Sequence, residues 1–372
     1  MVYDTIVSVN GNAPKKNAMS IYQDRRITIK DVAEAAGVST QTVSRVINDR
    51  PDVAPATRRR VLAIVDELGY RPNMLARGLS QQRSYSLGVV IAGLKYVGPS
   101  HTLSGITAQA EELGYMLVLK ELRHFEYDDV ASVLGELLSR QVDGILWAVS
   151  EVGDNRNALA QRLPTLKTPT LFLTMSQRPG WPVVKINNQL GGKIAVEHLL
   201  ALGHKQIGHI AGPLKWWEAR TRKAGWEEAM ANAGCAVSEK HWVNGDWSSA
   251  SGKAAIGQLL AKYPEMTGLF IANDQMALGA LQYAHEHGIR VPEQLSIIGF
   301  DDVPESAFYW PALTTVHYDH YTLGSRAVKE LAAMIDRRRQ AELWGMPVEE
   351  SSLLVSIEPT LSIRASTVPP NQ

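Results

Sequence analysis

Hydrophobic residues recur with helical spacing in three short segments near the beginning of the chain. Thr28, followed by Asp31 three residues later, is a variant of the capping box that marks a helix start, and Gly37 can end that helix with a positive φ. Ser39 is a favourable cap for a second helix, and a third is predicted over Pro55–Leu68. The apolar positions with this spacing are Ile29, Val32, Ala33, Ala36, Val43, Val46, Ile47, Val61, Ile64, Val65 and Leu68.

Two short helices joined by a three-residue turn and followed by a third helix predict a helix-turn-helix. This geometry places the second helix in the major groove of DNA. The polar face of that helix carries Thr40, Gln41, Ser44 and Arg45, and glutamine and arginine can pair bidentately with adenine and guanine. The arginine cluster at 58–60 is suited to neutralising phosphates. The alternative from the pattern alone is a small three-helix domain with a solvated polar face.

From Leu87 onward the pattern changes to short apolar runs separated by amphipathic segments of helix length. The runs are LGVVIA, YMLVLK, DGILWAV, TLFLTM, VVKIN, QIGHIAG, GLFIAND and LSIIGF. Strand–helix alternation over roughly 230 residues predicts parallel sheets covered by helices on both faces. Because that length exceeds one such sheet, we expect two similar halves. The predicted fold is therefore an all-α helix-turn-helix headpiece plus an α/β core of two Rossmann-like subdomains.

Polar and aromatic residues follow these predicted strands, where ligands of parallel sheets bind. The positions are Tyr96, Pro99, Ala148, Thr174, 216–222, Asn273, Asp274, Asp301 and Asp302. Arg222, Asn273 and Asp301 can pair with hydroxyl groups, while Trp217 and Trp247 offer flat faces to the C–H face of a sugar. Taken singly, each has a structural alternative, such as a turn for Asp301, a core filler for Trp247 and a surface charge for Arg222.

The charge is distributed unevenly along the chain. The formal net charge of the 372 residues is zero, but residues 1–83 contain thirteen Lys and Arg against eight Asp and Glu, a net +5, which leaves −5 for residues 84–372. A basic N-terminal part followed by an acidic remainder suggests that only the N-terminal part binds a polyanion. The chain has no run of about 18 apolar residues and no secretory signal, and its one cysteine, Cys235, excludes an internal disulfide. These features predict a cytoplasmic protein without a membrane partner.

Enzyme motifs are absent from the sequence. It contains no GxGxxG, GxxxxGK[ST], GxSxG or HExxH motif. His285-Glu286-His287 resembles a metal site, but imidazoles at i and i+2 of a helix point to different sides. We therefore expect neither catalysis nor a cofactor nor a metal. A sugar hydrolase or kinase and an exported sugar-binding protein without a DNA-binding role remain as alternatives.

The stretches ITIKDVAEAAGVSTQTVSRVIND and ATRRRVLAIVDELGYRPNMLARGL resemble the DNA-binding headpiece of the lactose-repressor (LacI/GalR) family. The resemblance implies base contacts from Thr40, Gln41 and Arg45. It also implies phosphate contacts, at Thr28, Asn48 and Thr57. Pro72 and a segment too short to be a stable isolated helix follow. In the family this segment is a hinge helix in the minor groove, and the matching positions are Asn73, Ala76 and Leu79, with Leu79 as the intercalating wedge. The alternative is an ordinary linker.

The rest of the chain resembles the core of the same family, which is akin to periplasmic sugar-binding proteins. The stretches that carry this resemblance are LLALGHKQIGHIAGPL, RTRKAGWEEAM, GDWSSASG, IANDQMALGAL and GFDDVPESAFYWPALTTV. The implied effector-binding positions are Tyr96, Pro99, Thr102, Ala148, Trp217, Glu218, Arg222, Trp247, Asn273, Asp301 and His320. Extra rings at Tyr96, Trp216 and Trp217 suit a larger saccharide. Leu278 and Tyr309 match dimer-interface positions. Because no leucine heptads follow the last predicted strand, we expect a homodimer and not a tetramer.

Together these observations predict a domain plan and a function. The plan is a disordered arm at 1–25, a helix-turn-helix domain at 26–71, a hinge at 72–84, a two-lobed core at 85–363 and a tail at 364–372. The N-lobe comprises 85–186 and 320–347, and the C-lobe comprises 187–317 and 348–363. The predicted protein is a repressor of carbohydrate-utilisation genes that binds palindromic operator DNA at the nucleoid and is released by a sugar or glycoside. A regulator that requires a corepressor is the alternative.

Overall fold

The computed structural model describes residues 27–71, 83–125, 129–162, 166–347 and 353–370, in two compact units that divide between Ser84 and Tyr85. The arm predicted at 1–25 and the hinge positions Asn73, Ala76 and Leu79 lie outside the described residues. Within the described ranges, no helix combines the length and the apolar character needed to cross a membrane.

The first unit is the predicted three-helix headpiece, with α1 at Ile29–Ala36, α2 at Thr40–Ile47 and α3 at Pro55–Leu68. The Asp31 carboxylate accepts hydrogen bonds from the backbone nitrogen and the hydroxyl of Thr28, at 2.7 and 2.6 Å. The Ser39 hydroxyl caps α2 by accepting from the Thr42 nitrogen at 3.1 Å. Gly37 ends α1 in the left-handed region at φ 63°. The predicted caps of α1 and α2 are therefore confirmed. The fully or nearly buried core consists of Val32, Ala33, Ala36, Val43, Val46, Val61 and Tyr70.

The second unit is built from strands that alternate with helices. In chain order the helices are α4 (Val97–Glu112), α5 (Val130–Ser139), α6 (Asn155–Arg162), α7 (Asn188–Ala201), α8 (Trp217–Asn232), α9 (Ser249–Lys262), α10 (Asp274–Glu286) and α11 (His320–Trp344). The strands are β1 (Ser86–Ala92), β2 (Met116–Leu122), β3 (Gly144–Ala148), β4 (Thr170–Leu173), β5 (Val183–Ile186), β6 (Ile207–Ala211), β7 (Trp242–Asn244), β8 (Gly268–Ile271), β9 (Ser296–Asp301), β10 (Thr314–His317), β11 (Leu354–Ile357) and β12 (Thr360–Ser362).

The strands form two six-stranded sheets, which we call the N-lobe and C-lobe sheets. The N-lobe order is β11-β5-β4-β3-β1-β2, with parallel pairing throughout. The C-lobe order is β12-β10-β9-β8-β6-β7, in which only the β12–β10 pair is antiparallel. Two mainly parallel sheets with helices between their strands confirm the predicted fold class.

One predicted lobe boundary is wrong. The sequence assigned 348–363 to the C-lobe, but β11 pairs in register with β5, Leu354 opposite Val183, and so completes the N-lobe sheet. Only β12 joins the C-lobe, because its three residues pair with β10. The chain therefore passes between the lobes three times, after β5, after β10 and between β11 and β12.

Three pairs of helices cross so closely that only glycine fits at the crossing. A Cβ on Gly105 of α4 would lie 2.1 Å from a backbone oxygen of α11, and one on Gly225 of α8 would lie 2.1 Å from a backbone oxygen of α7. A Cβ on Gly279 of α10 would lie 1.8 Å from the Ser249 oxygen of α9. The partner helices carry glycines at the same crossings, Gly324, Gly192 and Gly252. These contacts fix how α4, α8 and α10, the helices that follow β1, β6 and β8, pack against α11, α7 and α9.

Candidate functional site

A cavity of about 270 Å³ lies between the two lobes, at the carboxyl ends of their strands. Its lining includes ten of the eleven predicted effector positions. These ten are Tyr96, Pro99, Thr102, Ala148, Glu218, Arg222, Trp247, Asn273, Asp301 and His320. The residues come from both lobes, so a molecule in the cavity touches both. We call this cavity the cleft.

The indole that lines the cleft at the start of α8 is Trp216, not the predicted Trp217. Trp216 is the extended residue before the helix, and its ring centre lies 6.5 Å from that of Tyr96 and 5.8 Å from that of Trp247. Trp217 is the first helical residue, and its ring faces the Lys185 ammonium at 5.4 Å. Trp216 and Trp217 are consecutive residues, yet only the ring of Trp216 lines the cleft.

Arg222 is the centre of a buried polar network. Its Nε donates to the Asn188 side-chain oxygen at 2.9 Å, and one terminal nitrogen donates to the Ala272 carbonyl at 2.5 Å. The same nitrogen lies 3.3 Å from the Asp301 carboxylate, and the guanidinium stacks 3.6 Å from the centre of the Phe300 ring. Arg222 is thus held in place by its Nε and one terminal nitrogen, both of which are directed at protein acceptors.

Asp301 completes this network at the end of β9. Its Oδ1 accepts a hydrogen bond from the Tyr318 hydroxyl at 3.0 Å, and its backbone takes a positive φ of 110°. Burial raises the pKa of Asp301, while the Arg222 guanidinium opposes that rise. Asn188 and Tyr318 were not predicted, although both follow strands, β5 and β10, and the strand-end rule applies to them equally.

Asn273 positions Trp247. Its side-chain oxygen caps α10 by accepting from the Met276 nitrogen at 3.0 Å, and its Nδ2 donates to the Trp247 carbonyl at 3.0 Å and to the Gln275 side chain at 2.9 Å. Trp247 itself takes a positive φ of 74°, and a Cβ on Gly212 would lie 2.2 Å from its ring. The amide of Asn273 is therefore engaged within the protein, and Trp247 presents its indole to the cleft.

Three polar atoms of cleft-lining side chains are buried and have no hydrogen-bond partner among the described residues. They are Glu218 Oε2, His320 Nε2 and Trp247 Nε1. Burial raises the pKa of Glu218 to about 7 and lowers the pKa of His320 to about 3, so the imidazole is neutral at physiological pH. Since buried polar groups are normally hydrogen-bonded, these atoms are suited to partners supplied by a ligand.

The lobes also touch beside the cleft, in a group of contacts that we call the clasp. The buried Glu151 carboxylate, which follows β3, binds Arg156 at 2.8 Å and lies 3.4 Å from Arg220 of α8. The Trp217 nitrogen donates to the Glu151 carbonyl at 2.9 Å, and Val152 forms an antiparallel bridge with Trp216. These contacts join the N-lobe to the beginning of α8.

The candidate DNA-reading face of the headpiece is open at its key positions. Thr40, Gln41 and Arg45 are exposed, and Ser44 is half-buried. Arg45 lies 3.5 Å from Asp52, with both side chains about half exposed. An ion pair this exposed is weak, so Arg45 can leave Asp52 and bind a base instead.

The predicted phosphate-contacting residues differ in how far their own fold engages them. The Thr28 hydroxyl donates to Asp31 at 2.6 Å, and the Asn48 amide donates to the Ser44 carbonyl at 2.8 Å. Thr57 is half-buried. Of the arginine cluster, Arg58 binds Asp49 at 2.6 Å, whereas residues 59 and 60 are exposed.

The predicted dimer positions lie on the C-lobe. Leu278 is 41% exposed and Tyr309 is half-buried, and the neighbours of Tyr309 in sequence, Phe308 and Trp310, are 87% and 91% exposed.

In the His285-Glu286-His287 motif, His287 stacks on Tyr283 and its ring is hydrogen-bonded to the Tyr283 carbonyl at 2.9 Å. The described residues contain no cluster of three or more side chains suited to a metal ion.

Two family models match the chain. Residues 28–73 match bacterial regulatory proteins of the lacI family, and residues 196–367 match the periplasmic binding protein-like domain. The chain is 34% identical over 345 residues to the lactose operon repressor of Escherichia coli (strain K12), which covers 92% of this chain and 93% of that protein. It is 34% identical over 339 residues to the HTH-type transcriptional repressor PurR of Haemophilus influenzae (strain PittEE), covering 91% and 98%.

Solved structures agree with these matches. The lac repressor dimer bound to operator and the anti-inducer ONPF superposes with a TM-score of 0.79 at 34% identity, covering 92% of this chain and all of that one. The complex of the transcriptional regulator CelR with cellobiose gives a TM-score of 0.64 at 28% identity, with the same coverage.

Proposed function

The chain belongs to the LacI family of bacterial regulatory proteins, and from that premise we propose that it represses carbohydrate-utilisation genes until a saccharide binds in the cleft. It is a DNA-binding transcriptional regulator and not an enzyme. The observation that carries the saccharide assignment is the composition of the cleft wall. A fixed network around Arg222 and Asp301 lies beside the rings of Tyr96, Trp216 and Trp247.

The aromatic and polar parts of the cleft complement different parts of a sugar. The C–H face of a pyranose is apolar and fits a ring face, whereas each buried hydroxyl without a partner costs about 1–3 kcal/mol. The unpartnered atoms of Glu218, Trp247 and His320 supply such partners. The solved complexes of the lac repressor with ONPG and of CelR with cellobiose support the same class of ligand. The two rings at Tyr96 and Trp216 favour a ligand larger than one sugar ring.

On the DNA side, the proposal assigns base reading to the exposed face of α2. Gln41 and Arg45 supply the side chains that read adenine and guanine bidentately, and Thr40 and Ser44 flank them. One recognition helix contacts few base pairs, so two copies reading two half-sites of a palindrome are required. The hinge positions in 72–84 would hold the minor groove between the half-sites. Because operator DNA lies in the cytoplasm, the protein works there, at the nucleoid.

The second copy binds through the C-lobe surface around Leu278 and Tyr309. The side chains of Phe308 and Trp310 extend this surface, and large exposed aromatic side chains mark association sites. A two-fold interface uses the same patch on both copies. The proposal is therefore a homodimer.

Fluorescence titration combined with a gel shift tests the function. Tryptophan emission reports binding because Trp216 and Trp247 line the cleft. A binding saccharide should release a fragment of the promoter bound by the full-length protein. Asp301→Asn should bind that fragment normally and lose the response, because the substitution removes the negative charge that holds Arg222. If the fragment stays bound at saturation with every saccharide tested, or if the variant still responds, the proposal fails.

A further inference from the structure

We propose that Glu218 makes the cleft selective for uncharged saccharides and excludes their phosphate esters and uronic acids. This inference rests on the proposed function, since it names the chemical class of the effector that the same cleft accepts. Two observations support it: the Glu218 carboxyl lies at the start of α8, and the nearby cations already have partners or lie at the rim of the cleft.

Glu218 is the second residue of α8, and its carboxyl lies where an anionic ligand group would otherwise bind. The free N–H groups of a helix start attract anions. Here the Glu218 carboxyl accepts from its own backbone N–H and from the Ser150 side chain, while the preceding N–H, that of Trp217, donates to the Glu151 carbonyl. A carboxyl of the protein has therefore taken the position at the helix start that a phosphate would need.

The cations of the cleft do not compensate. Arg222 directs its Nε at Asn188 and one terminal nitrogen at Ala272 and Asp301, so its charge is already paired with the Asp301 carboxylate. Among the described residues that line the cleft, Lys95 is the other permanent cation, and it is exposed at the rim with its ammonium 5.1 Å from the Tyr96 ring centre. An anion deep in the cleft would thus face two carboxyl groups and one guanidinium whose charge is already paired with one of them.

A neutral polyol meets none of these penalties. Glu218 lines the cleft, and its Oε2 is buried and has no partner among the described residues. A hydroxyl group can donate to this oxygen, and it can also accept from it when the carboxyl is protonated. A fully ionised phosphate offers acceptors only, so it cannot satisfy an ionised carboxylate. The free oxygen therefore selects for a ligand group that carries its own proton.

Matched pairs of ligands test the inference on the full-length protein. Cellobiose, glucose, ribose and galactose serve as the neutral set. Cellobiose 6-phosphate, glucose 6-phosphate, ribose 5-phosphate and galacturonate serve as the anionic set, and affinities come from tryptophan fluorescence and calorimetry at pH 8. We expect a neutral ligand to bind and its anionic counterpart to bind about 100-fold more weakly, since opposed like charges disfavour binding strongly.

Two variants identify the residue responsible. Glu218→Gln keeps the shape and removes the charge, so the anionic counterpart should gain at least about tenfold relative to the neutral ligand, the factor expected for removal of one opposed charge. Glu228→Gln, at a half-buried residue of the same helix that is bonded to Lys193 and does not line the cleft, is the matched control and should leave the ratio unchanged.

The outcomes separate the two proposals. An anionic saccharide that binds the wild type as tightly as its neutral form overturns the charge selection and leaves the saccharide function standing. A ratio that stays the same in Glu218→Gln also overturns the role of Glu218. If neither set binds at all, the proposed function fails and this inference fails with it.

Discussion

Replacing Glu218 with glutamine should stabilise the empty protein at alkaline pH and leave it unchanged at acid pH. The Glu218 side chain is 8% exposed, and burial raises its pKa from 4.5 to about 7, with Arg222 opposing the rise and Glu151 adding to it. Glutamine has nearly the shape of the protonated carboxyl and carries no charge. The substitution therefore removes the cost of ionising Glu218 in the fold while changing little else.

The magnitude follows from the linkage between proton binding and folding. The folded protein holds the Glu218 proton more tightly than the unfolded chain, so the stability that this group contributes is present below pH 4.5 and is lost as the pH rises through about 7. At 1.36 kcal/mol per unit of pKa, the whole loss amounts to about 3 kcal/mol. Glu218→Gln has no such loss, so its advantage over the wild type should grow to about 3 kcal/mol by pH 8.

Urea denaturation of both proteins between pH 5 and pH 8, followed by tryptophan fluorescence, measures this difference. Asp274, whose pKa burial raises to about 8, titrates in both proteins and so cancels in the comparison. Glu228→Gln is again the control, because the Lys193 ammonium and hydrogen bonds lower the pKa of Glu228, and it should show no gain at high pH. A difference between wild type and Glu218→Gln that is constant from pH 5 to pH 8 would refute the reasoning.

Three further predictions concern packing, capping and DNA reading. Gly279→Ala should lower the stability of the core by about 1–3 kcal/mol, because its Cβ would meet the Ser249 oxygen, whereas Gly135→Ala in α5, where no described atom lies within 4 Å, should gain up to about 1 kcal/mol in thermal denaturation. Asp31→Ala should cost the headpiece about 1 kcal/mol in a circular-dichroism melt through the lost capping bonds. Arg45→Ala should cost about 1–3 kcal/mol at one operator base pair in gel shifts and leave saccharide binding unchanged. Equal effects of Gly279→Ala and Gly135→Ala would contradict the first prediction. An unchanged melt of Asp31→Ala would contradict the second, and a uniform loss of affinity of Arg45→Ala for all operators would contradict the third.

The headpiece followed from the sequence because its determinants are local. The capping residues Thr28 and Ser39 lie within three residues of the groups they bond. The glycine that ends α1 is adjacent to the helix. The strand-end rule likewise found most of the cleft, since parallel strands bring their carboxyl ends to one edge regardless of the side chains involved.

The features that the sequence did not predict depend on where a helix begins or on partners that are distant in the sequence. Trp216 and Trp217 have the same side chain, and only the start of α8 decides which ring enters the cleft. Two residues separate β11 from β12, yet the two strands pair with different sheets. The roles of Asn188 and Tyr318 follow from hydrogen bonds to Arg222 and Asp301, which lie far away in the sequence.

The two walls of the cleft belong to different lobes, and under the proposed function this arrangement is how a ligand controls DNA binding. Tyr96, Ala148 and His320 come from the N-lobe, whereas Arg222 and Asp301 come from the C-lobe. A ligand that touches both walls binds with an affinity that depends on the relative orientation of the lobes. The three chain crossings permit this orientation to change, and the contacts of the clasp oppose the change. A ligand with equal affinity for two orientations would shift nothing. By reciprocity, operator DNA must weaken effector binding by the same factor by which the effector weakens DNA binding, typically about 5–150-fold.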